Sequence, residues 1–492
     1  MSLTTVPFPV RSAWSCTTAP ARRRRHRAAL ASHGVDHART AAGRLGPRLV
    51  VAGTHSGVGK TTVATGLLAA LRRAGHRPAA AKVGPDFIDP GYHALACGRP
   101  PRNLDAWLCG ADAIVPLAGR AAAGADLLVA EGVMGLFDGS SDGTPSSTAD
   151  VARLLDAPVV LVVDAKAMSG SVAALVAGFA GFDPAVRVAG VVLNRVGSDG
   201  HEMLLREALA PLGLPVLGAL RTDDRLTWRD RHLGLIPVAE RPAEVAAALD
   251  RLADAVAERV DLGSVVRLAR TAPDRPAGGV AVPPQAVPPG RTVRVAVATG
   301  AAFTFTYADT LDALGAAGVE VTPVDPAHDA ALPDGTAGLI AGGGFPEVHA
   351  ADLAGNVPLL ADVRARVSRG MPTWAECGGL LWLCRTLDGA PLVGAVPADA
   401  RMTDRLTLGY RTATTTTASP VGPPGTTLRG HEFRYSTVEP PGQALTLSSR
   451  WGQRGDGFAT RSLLATYLHV HPGGDPAPVA AFARACATAA GA

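Results

Sequence analysis

The sequence predicts an α/β protein of two domains, each a parallel β-sheet wrapped by helices, and three observations carry that prediction. Short, nearly continuous apolar runs alternate with Ala/Leu/Arg-rich helical stretches, as expected of strands buried on both faces by crossover helices. The series begins twice, at residue 48 and at 292, with a Pro/Gly/Ala-rich stretch between. The 492 residues are 47 % hydrophobic and only 4 % aromatic, which suits two Ala/Val/Leu-packed cores better than aromatic-rich sandwiches.

Taken in order, the first-domain strands are RLVVAG (48–53), AAAKVG (79–84), DLLVAEG (126–132), PVVLVVDA (158–165) and VRVAGVVLN (186–194), with helices expected over 59–74, 147–155 and 170–180. A helix-like segment at 241–269 closes the domain. The stretch 271–290, TAPDRPAGGVAVPPQAVPPG, has no periodicity and reads as a linker. The second series runs TVRVAVATG (292–300), VEVTPVD (319–325), AGLIAGGG (337–344) and MPTWAEC (371–377), with helices at about 306–317 and 357–369 and Thr-rich alternating β beyond 400. The expected organisation is a disordered basic extension at 1–46, a first domain at 47–270, the linker at 271–290 and a second domain at 291–492.

Charge and cysteines exclude several classes. The net charge is +4, but residues 1–48 hold nine Arg against a single Asp36 and so account for +8, leaving the remainder at −4. Basicity confined to an N-terminal arm is not a nucleic-acid-binding face. No stretch reaches the roughly 20 apolar residues that span a bilayer, so no membrane partner is expected. The six Cys (16, 97, 109, 377, 384, 486) form no C-x-x-C pair and no dense framework, which fits a reducing cytoplasm.

GTHSGVGKTT (53–62) follows a strand and opens a helix, the setting of a phosphate-binding loop. Backbone N–H groups around Gly57 and Gly59 and the helix start at Thr61–Thr62 would cradle phosphate oxygens, with Lys60 reaching the outer phosphates and Thr61 ligating Mg²⁺. The first glycine, Gly53, stands one place early for the strict spacing. Only three Lys occur (60, 82, 166) in a chain that otherwise uses Arg, so Lys60 is read as a required point charge. KVGPDFIDPG presents Asp86 and Asp89 at a strand end, and EGVMGLFDG presents Glu131 and Asp138 in the same way. Four carboxylates facing a Lys–Thr loop suit Mg–ATP. Asp164 is read as a helix cap near Ser169–Ser171 rather than a metal partner.

In the second domain Cys377 lies between a strand and a helix in AECGGLLWL, a setting that exposes a nucleophile and favours its thiolate. Gly342–Gly344 offers N–H groups for an oxyanion hole, and His469 or His471 of ATYLHVH can act as the base.

With these segments, NLDAWL (103–108), GGGFPEVHA (342–350) and GHEFRYS (430–436), the chain resembles the cobyrinic/hydrogenobyrinic acid a,c-diamide synthases from about residue 48 to 475. The resemblance implies a dethiobiotin synthetase-like domain joined to a class I glutamine amidotransferase-like domain. It also implies ATP-dependent amidation of corrin side-chain carboxylates with nitrogen from glutamine. Asp86, Asp89, Glu131 and Asp138 would hold metal and substrate. Cys377 would attack glutamine, His469 relay the proton, and Gly343 and Gly344 hold the oxyanion. His471 stands where triadic relatives carry an acid, so a Cys–His dyad is implied. The expected partners are corrin, glutamine and ATP, with a homodimer left open. Two alternatives remain at this point: a cobyric acid synthase, against which GPDFIDP counts, and a nucleotide switch with an inactive second domain. The preferred macrocycle is the metal-free one.

Overall fold

Seven of the first eight strands form one sheet. In the computed structural model residues 43–140, 143–223, 230–231, 234–235 and 237–491 are described; the 22–27 arginine run and Cys16 lie outside them. The strands are β1 (Gly43–Leu45), β2 (Arg48–Gly53), β3 (Pro78–Val83), β4 (Arg102–Leu104), β5 (Leu127–Glu131), β6 (Val159–Asp164), β7 (Val188–Val196) and β8 (Val216–Arg221). The sheet runs β4-β3-β5-β2-β6-β7-β8 and is parallel throughout. Every residue of β2, β3 and β5 is buried, which is why those strands read as apolar runs. The expected helices form at Lys60–Arg73, Thr148–Leu155 and Ser171–Phe182. Ser147 and Asp150 close a reciprocal cap on the second of these. Because the phosphate loop leaves central β2, the ends of β3, β5 and β6 surround it.

Two sequence boundaries differ from expectation. Gly43–Leu45 and β11 (Arg275–Gly278), placed by sequence in the extension and the linker, pair antiparallel with each other. Partners some 230 positions apart in three- and four-residue strands leave no local periodicity to read. The helical segment 241–269 is two helices, Pro242–Arg259 and Leu262–Ala269. Val260 is drawn into a bridge with Gly218, and Asp261 restarts the helix by accepting the Ser264 N–H at 2.9 Å.

A small antiparallel pair, β9 (Asp230–Arg231) and β10 (Gly234–Leu235), precedes the second half. There β12 (Val293–Ala298), β13 (Val319–Val324), β14 (Thr336–Ala341) and β15 (Thr373–Glu376) join β22 (Phe458–Thr460) and β23 (Leu463–Thr466) in the order β13-β12-β14-β15-β23-β22. Only β22 is antiparallel. A third sheet is built on the long hairpin of β18 (Asp399–Thr415) and β19 (Thr427–Glu439), with the shorter β16 (Thr386–Leu387), β17 (Ala390–Pro391), β20 (Leu445–Ser449), β21 (Gly452–Asp456) and β24 (His469–Val470). Each half has its own cores, yet Phe345 of the second is counted in a core of the first. The described residues all fall within one compact unit.

Candidate active site

At the end of β2 the chain turns through Gly57 (φ 82°) and Gly59 (φ 96°) into the Lys60–Arg73 helix. Both are left-handed, a region that costs any other residue strain. A Cβ on Gly59 would stand 2.1 Å from Asn194 Nδ2, which donates to the Val58 carbonyl at 2.8 Å, so the loop is clamped from β7. Lys60 is buried and donates to the His55 carbonyl at 3.1 Å. Burial, then repulsion from Lys82, pushes its ammonium down to about 8. Thr62 follows in the first helical turn.

Beneath this loop lies a buried charge cluster. The Thr61 hydroxyl donates to Glu131 at 2.7 Å and reaches Asp89 at 3.3 Å. Lys82 Nζ lies 2.7 Å from Asp89 and 2.8 Å from Glu131 and donates to the Gly132 carbonyl at 3.0 Å. His93 Nε2 is 2.6 Å from the other Glu131 oxygen. Burial favours protonated Glu131, but Lys82 and His93 outweigh it and hold the carboxyl well below the usual range. Burial likewise opposes the Lys82 ammonium, and Asp89 and Glu131 outweigh it in turn. Asp86 Oδ1 accepts the Ile88 N–H at 2.7 Å; burial, then Asp89, raises its carboxyl to about 8. Asp138 accepts the Gly135 N–H at 2.8 Å, and a Cβ on Gly135 would stand 3.0 Å from the Thr54 carbonyl, placing Asp138 beside the phosphate loop. The four predicted carboxylates therefore converge on the loop. Sequence reading assigned no role to Lys82 or His93, although Lys82 was marked as one of three lysines.

Asp164 does not cap the following helix. It pairs with Arg195 and accepts the Lys166 N–H at 3.0 Å, while the following helix is capped by Gly170 without a side-chain bond. Among the described residues no group of three His, Cys, Asp or Glu forms a ready metal cage. The Thr61 hydroxyl with Glu131 and Asp89 is nevertheless the hard-oxygen set that Mg²⁺ takes together with phosphate oxygens.

The second cluster sits at the ends of β14, β15 and β23. Cys377 has φ 49° and ψ −103°, a strained turn for a non-glycine residue. Gly379 must lack a Cβ, which would lie 2.0 Å from the Ala341 carbonyl. His469 is buried and stands close enough to Cys377 for the two to interact electrostatically. Its Nδ1 has no hydrogen-bond partner but lies 3.6 Å from Glu376 Oε2, while Glu376 Oε1 accepts the Val470 N–H at 3.2 Å. Burial opposes the imidazolium, yet Cys377 and Glu376 raise His469 to about 9. Glu376 was missed from the sequence, where the acid was sought two residues after the histidine. His471, which occupies that position, points away: its Nδ1 is 3.2 Å from Cys109 Sγ and its Nε2 3.7 Å from Asp309 Oδ2. The Gly343 N–H donates to the Phe305 carbonyl at 3.1 Å, so it is engaged rather than free for an oxyanion. The Gly344 nitrogen lies 3.0 Å from where a Gly378 Cβ would stand, which makes Gly344 and the unbonded first helical turn at Gly378 the adjacent donors.

NLDAWL meets β18 and β19 of the second half. Tyr410 donates to Asp105 at 2.8 Å and stacks on Trp107 at 4.6 Å. Arg429 donates to the Trp107 carbonyl at 3.2 Å, and Asn103 donates to the Gly84 and Asp86 carbonyls.

Comparison with known proteins meets this geometry. Residues 49–236 match the CobQ/CobB/MinD/ParA nucleotide binding domain, and residues 294–477 the CobB/CobQ-like glutamine amidotransferase domain. The hydrogenobyrinate a,c-diamide synthase of Streptomyces coelicolor is 48 % identical, over 90 % of this chain and 98 % of that protein. That of Thermobifida fusca is 50 % identical over 90 % and 97 %. The cobyrinate a,c-diamide synthase of Synechococcus sp. is 41 % identical over 89 % and 98 %. The chain belongs to the hydrogenobyrinate/cobyrinate a,c-diamide synthase family. Within that family the α/β reading holds, with the phosphate-loop domain N-terminal and the amidotransferase domain C-terminal.

Proposed function

We propose that this protein amidates the a and c carboxylates of hydrogenobyrinic acid in cobalamin biosynthesis, using ATP and glutamine. The observation that carries the reading is that one compact unit holds two assembled clusters, the Lys60–Thr61–Glu131 phosphate site and the Cys377–His469 pair, in a chain matching a,c-diamide synthases over nine-tenths of its length. Identities of 45–50 % to hydrogenobyrinate relatives, against 39–42 % to cobyrinate relatives, support the metal-free macrocycle.

A carboxylate is a poor acyl donor because its leaving group is oxide. Transfer of the ATP γ-phosphoryl group gives an acyl phosphate, and ammonia then displaces inorganic phosphate to leave the amide. Lys60 and the loop N–H groups stabilise the transferring charge. Thr61, Glu131 and Asp89 would hold Mg²⁺, which when bound neutralises phosphate charge. Asp86 and Asp138 line the approach of the acid substrate. In the other half the Cys377 sulfur attacks the glutamine carboxamide, donors at Gly344 and Gly378 hold the oxyanion, and His469 protonates the departing ammonia. Water then cleaves the thioester to glutamate. Glu376 orients His469. The cysteines at 97, 109, 377, 384 and 486 are unpaired thiols and no described helix is long and apolar enough to cross a membrane, which supports a cytoplasmic setting.

The test supplies ATP, Mg²⁺ and glutamine with hydrogenobyrinic or cobyrinic acid and follows ADP and product mass. Two successive losses of about one mass unit are expected, with Cys377→Ala active on ammonium only. ATP binding without any mass change in either macrocycle refutes the assignment.

A further inference from the structure

The loop Pro85–Asp89 belongs to the phosphate-site half, yet it touches both clusters. Asp89 is bound to Lys82 at 2.7 Å and Asp86 caps the turn through the Ile88 N–H. Between them Phe87 crosses to the other half. Its ring centroid lies 5.0 Å from that of His469, 4.3 Å from Tyr307, 5.8 Å from His431 and 5.2 Å from Phe305. The Pro85 carbonyl accepts the Tyr307 hydroxyl at 3.1 Å and faces His431 Nε2 at 3.2 Å. His431 is itself paired with His469 across β19 and β24, ring to ring at 5.0 Å. Alternate residues of one short loop thus hold the acid-lined phosphate site and the wall of the glutaminase base.

Resting on the function proposed above, we infer that Phe87 is a positioning residue through which occupancy of the Asp86/Asp89 site by Mg–ATP and the acid substrate sets the orientation of His469, and with it the rate of glutamine cleavage. The physical requirement is a difference in contacts between two states. An incoming cation or carboxylic acid competes for the Asp86 and Asp89 oxygens that now fix the loop, and a shift of the loop carries the half-buried Phe87 ring along the His469, Tyr307 and Phe305 rings it packs against. Phe305 also bonds the Gly343 backbone in both directions, so the same ring cluster reaches the oxyanion side.

The experiment measures initial glutamate release with and without Mg–ATP and hydrogenobyrinic acid, alongside amide formed from glutamine and from ammonium, for the parent, Phe87→Ala and Tyr307→Phe. The parent is expected to accelerate when the acceptor site fills, on the scale of about 2- to 30-fold typical of coupling through packed side chains. Phe87→Ala should lose most of that acceleration and release more glutamate per amide, while its ammonium-dependent amidation stays within about twofold of the parent. Tyr307→Phe, which removes only the hydroxyl on Pro85, should show a smaller loss in the same direction. A parent with no acceleration overturns the inference, as do variants that keep the parent's acceleration and its glutamate-to-amide ratio. If Phe87→Ala loses basal glutaminase and ammonium-dependent amidation together, the protein is misfolded and Tyr307→Phe alone decides. Failure of the parent to amidate with ammonium instead refutes the proposed function, a separate readout.

Discussion

Replacing Lys82 by Met tests the buried charge cluster most severely. The ammonium is 3 % exposed, with Asp89 at 2.7 Å and Glu131 at 2.8 Å. At an effective dielectric near 20 each pair gives an attraction of about 4 kcal/mol at ~4 Å between charges. Desolvation of the lysine offsets much of this, but the variant strips Asp89 of its buried cation and leaves Glu131 with His93 alone, and breaking a buried pair costs about 3–5 kcal/mol. A loss of about 3 kcal/mol lowers the melting of a 150–250-residue domain by roughly 6–12 °C. Calorimetry of Lys82→Met beside the parent measures this, and Glu131→Gln added to it should recover part of the loss by removing the stranded charge. ATP-dependent amidation should fail while ATP-independent glutaminase persists. A single variant melting within about 2 °C of the parent, a shift worth only ~1 kcal/mol, would refute the reasoning.

Three further outcomes are expected. His469 titrates near 9 in the fold, above its free value of 6.5, so the imidazolium and its stabilising effect are fully present below about pH 6.5 and lost as pH rises through 9; glutaminase kcat/KM should fall over that upper limb, and Glu376→Gln should shift the fall to lower pH. Asp86 titrates near 8, so its neutral form favours the fold at low pH and that contribution is lost as pH rises through 8; because a cation prefers the ionised carboxylate, Mg–ATP affinity measured by titration calorimetry should rise between about pH 7 and 9, roughly one unit on either side. Gly59→Ala forces a Cβ to within 2.1 Å of Asn194 Nδ2 at φ 96°, so nucleotide binding should fall and stability drop by about 1–3 kcal/mol, while Gly57→Ala, with open space around its Cβ, should lose only the conformational part.

Five of the seven strands of the first sheet were legible because burial on both faces writes itself as an apolar run, and β2 was placed to the residue, whereas β4 and β8 went unread. The four carboxylates were legible because they end or follow two such strands, β3 and β5, beside glycine-containing turns. Their counter-charges were not. Lys82 lies inside a strand and His93 inside a helix, where side chains ordinarily serve packing, and only the register of β3 against β5 sets Lys82 opposite Glu131.

By itself the sequence determined the two-domain α/β plan and the phosphate loop, each encoded within short stretches of chain, and it offered the acids around that loop, Cys377, and His469 or His471 as candidates. Tertiary structure decided the rest: Glu376 rather than His471 beside the base, Gly344 rather than Gly343 open to the oxyanion, β1 paired with β11, and Phe87 reaching from one half into the other. Those contacts join residues tens to hundreds of positions apart, and their geometry is set by sheet order and close packing rather than by any local pattern.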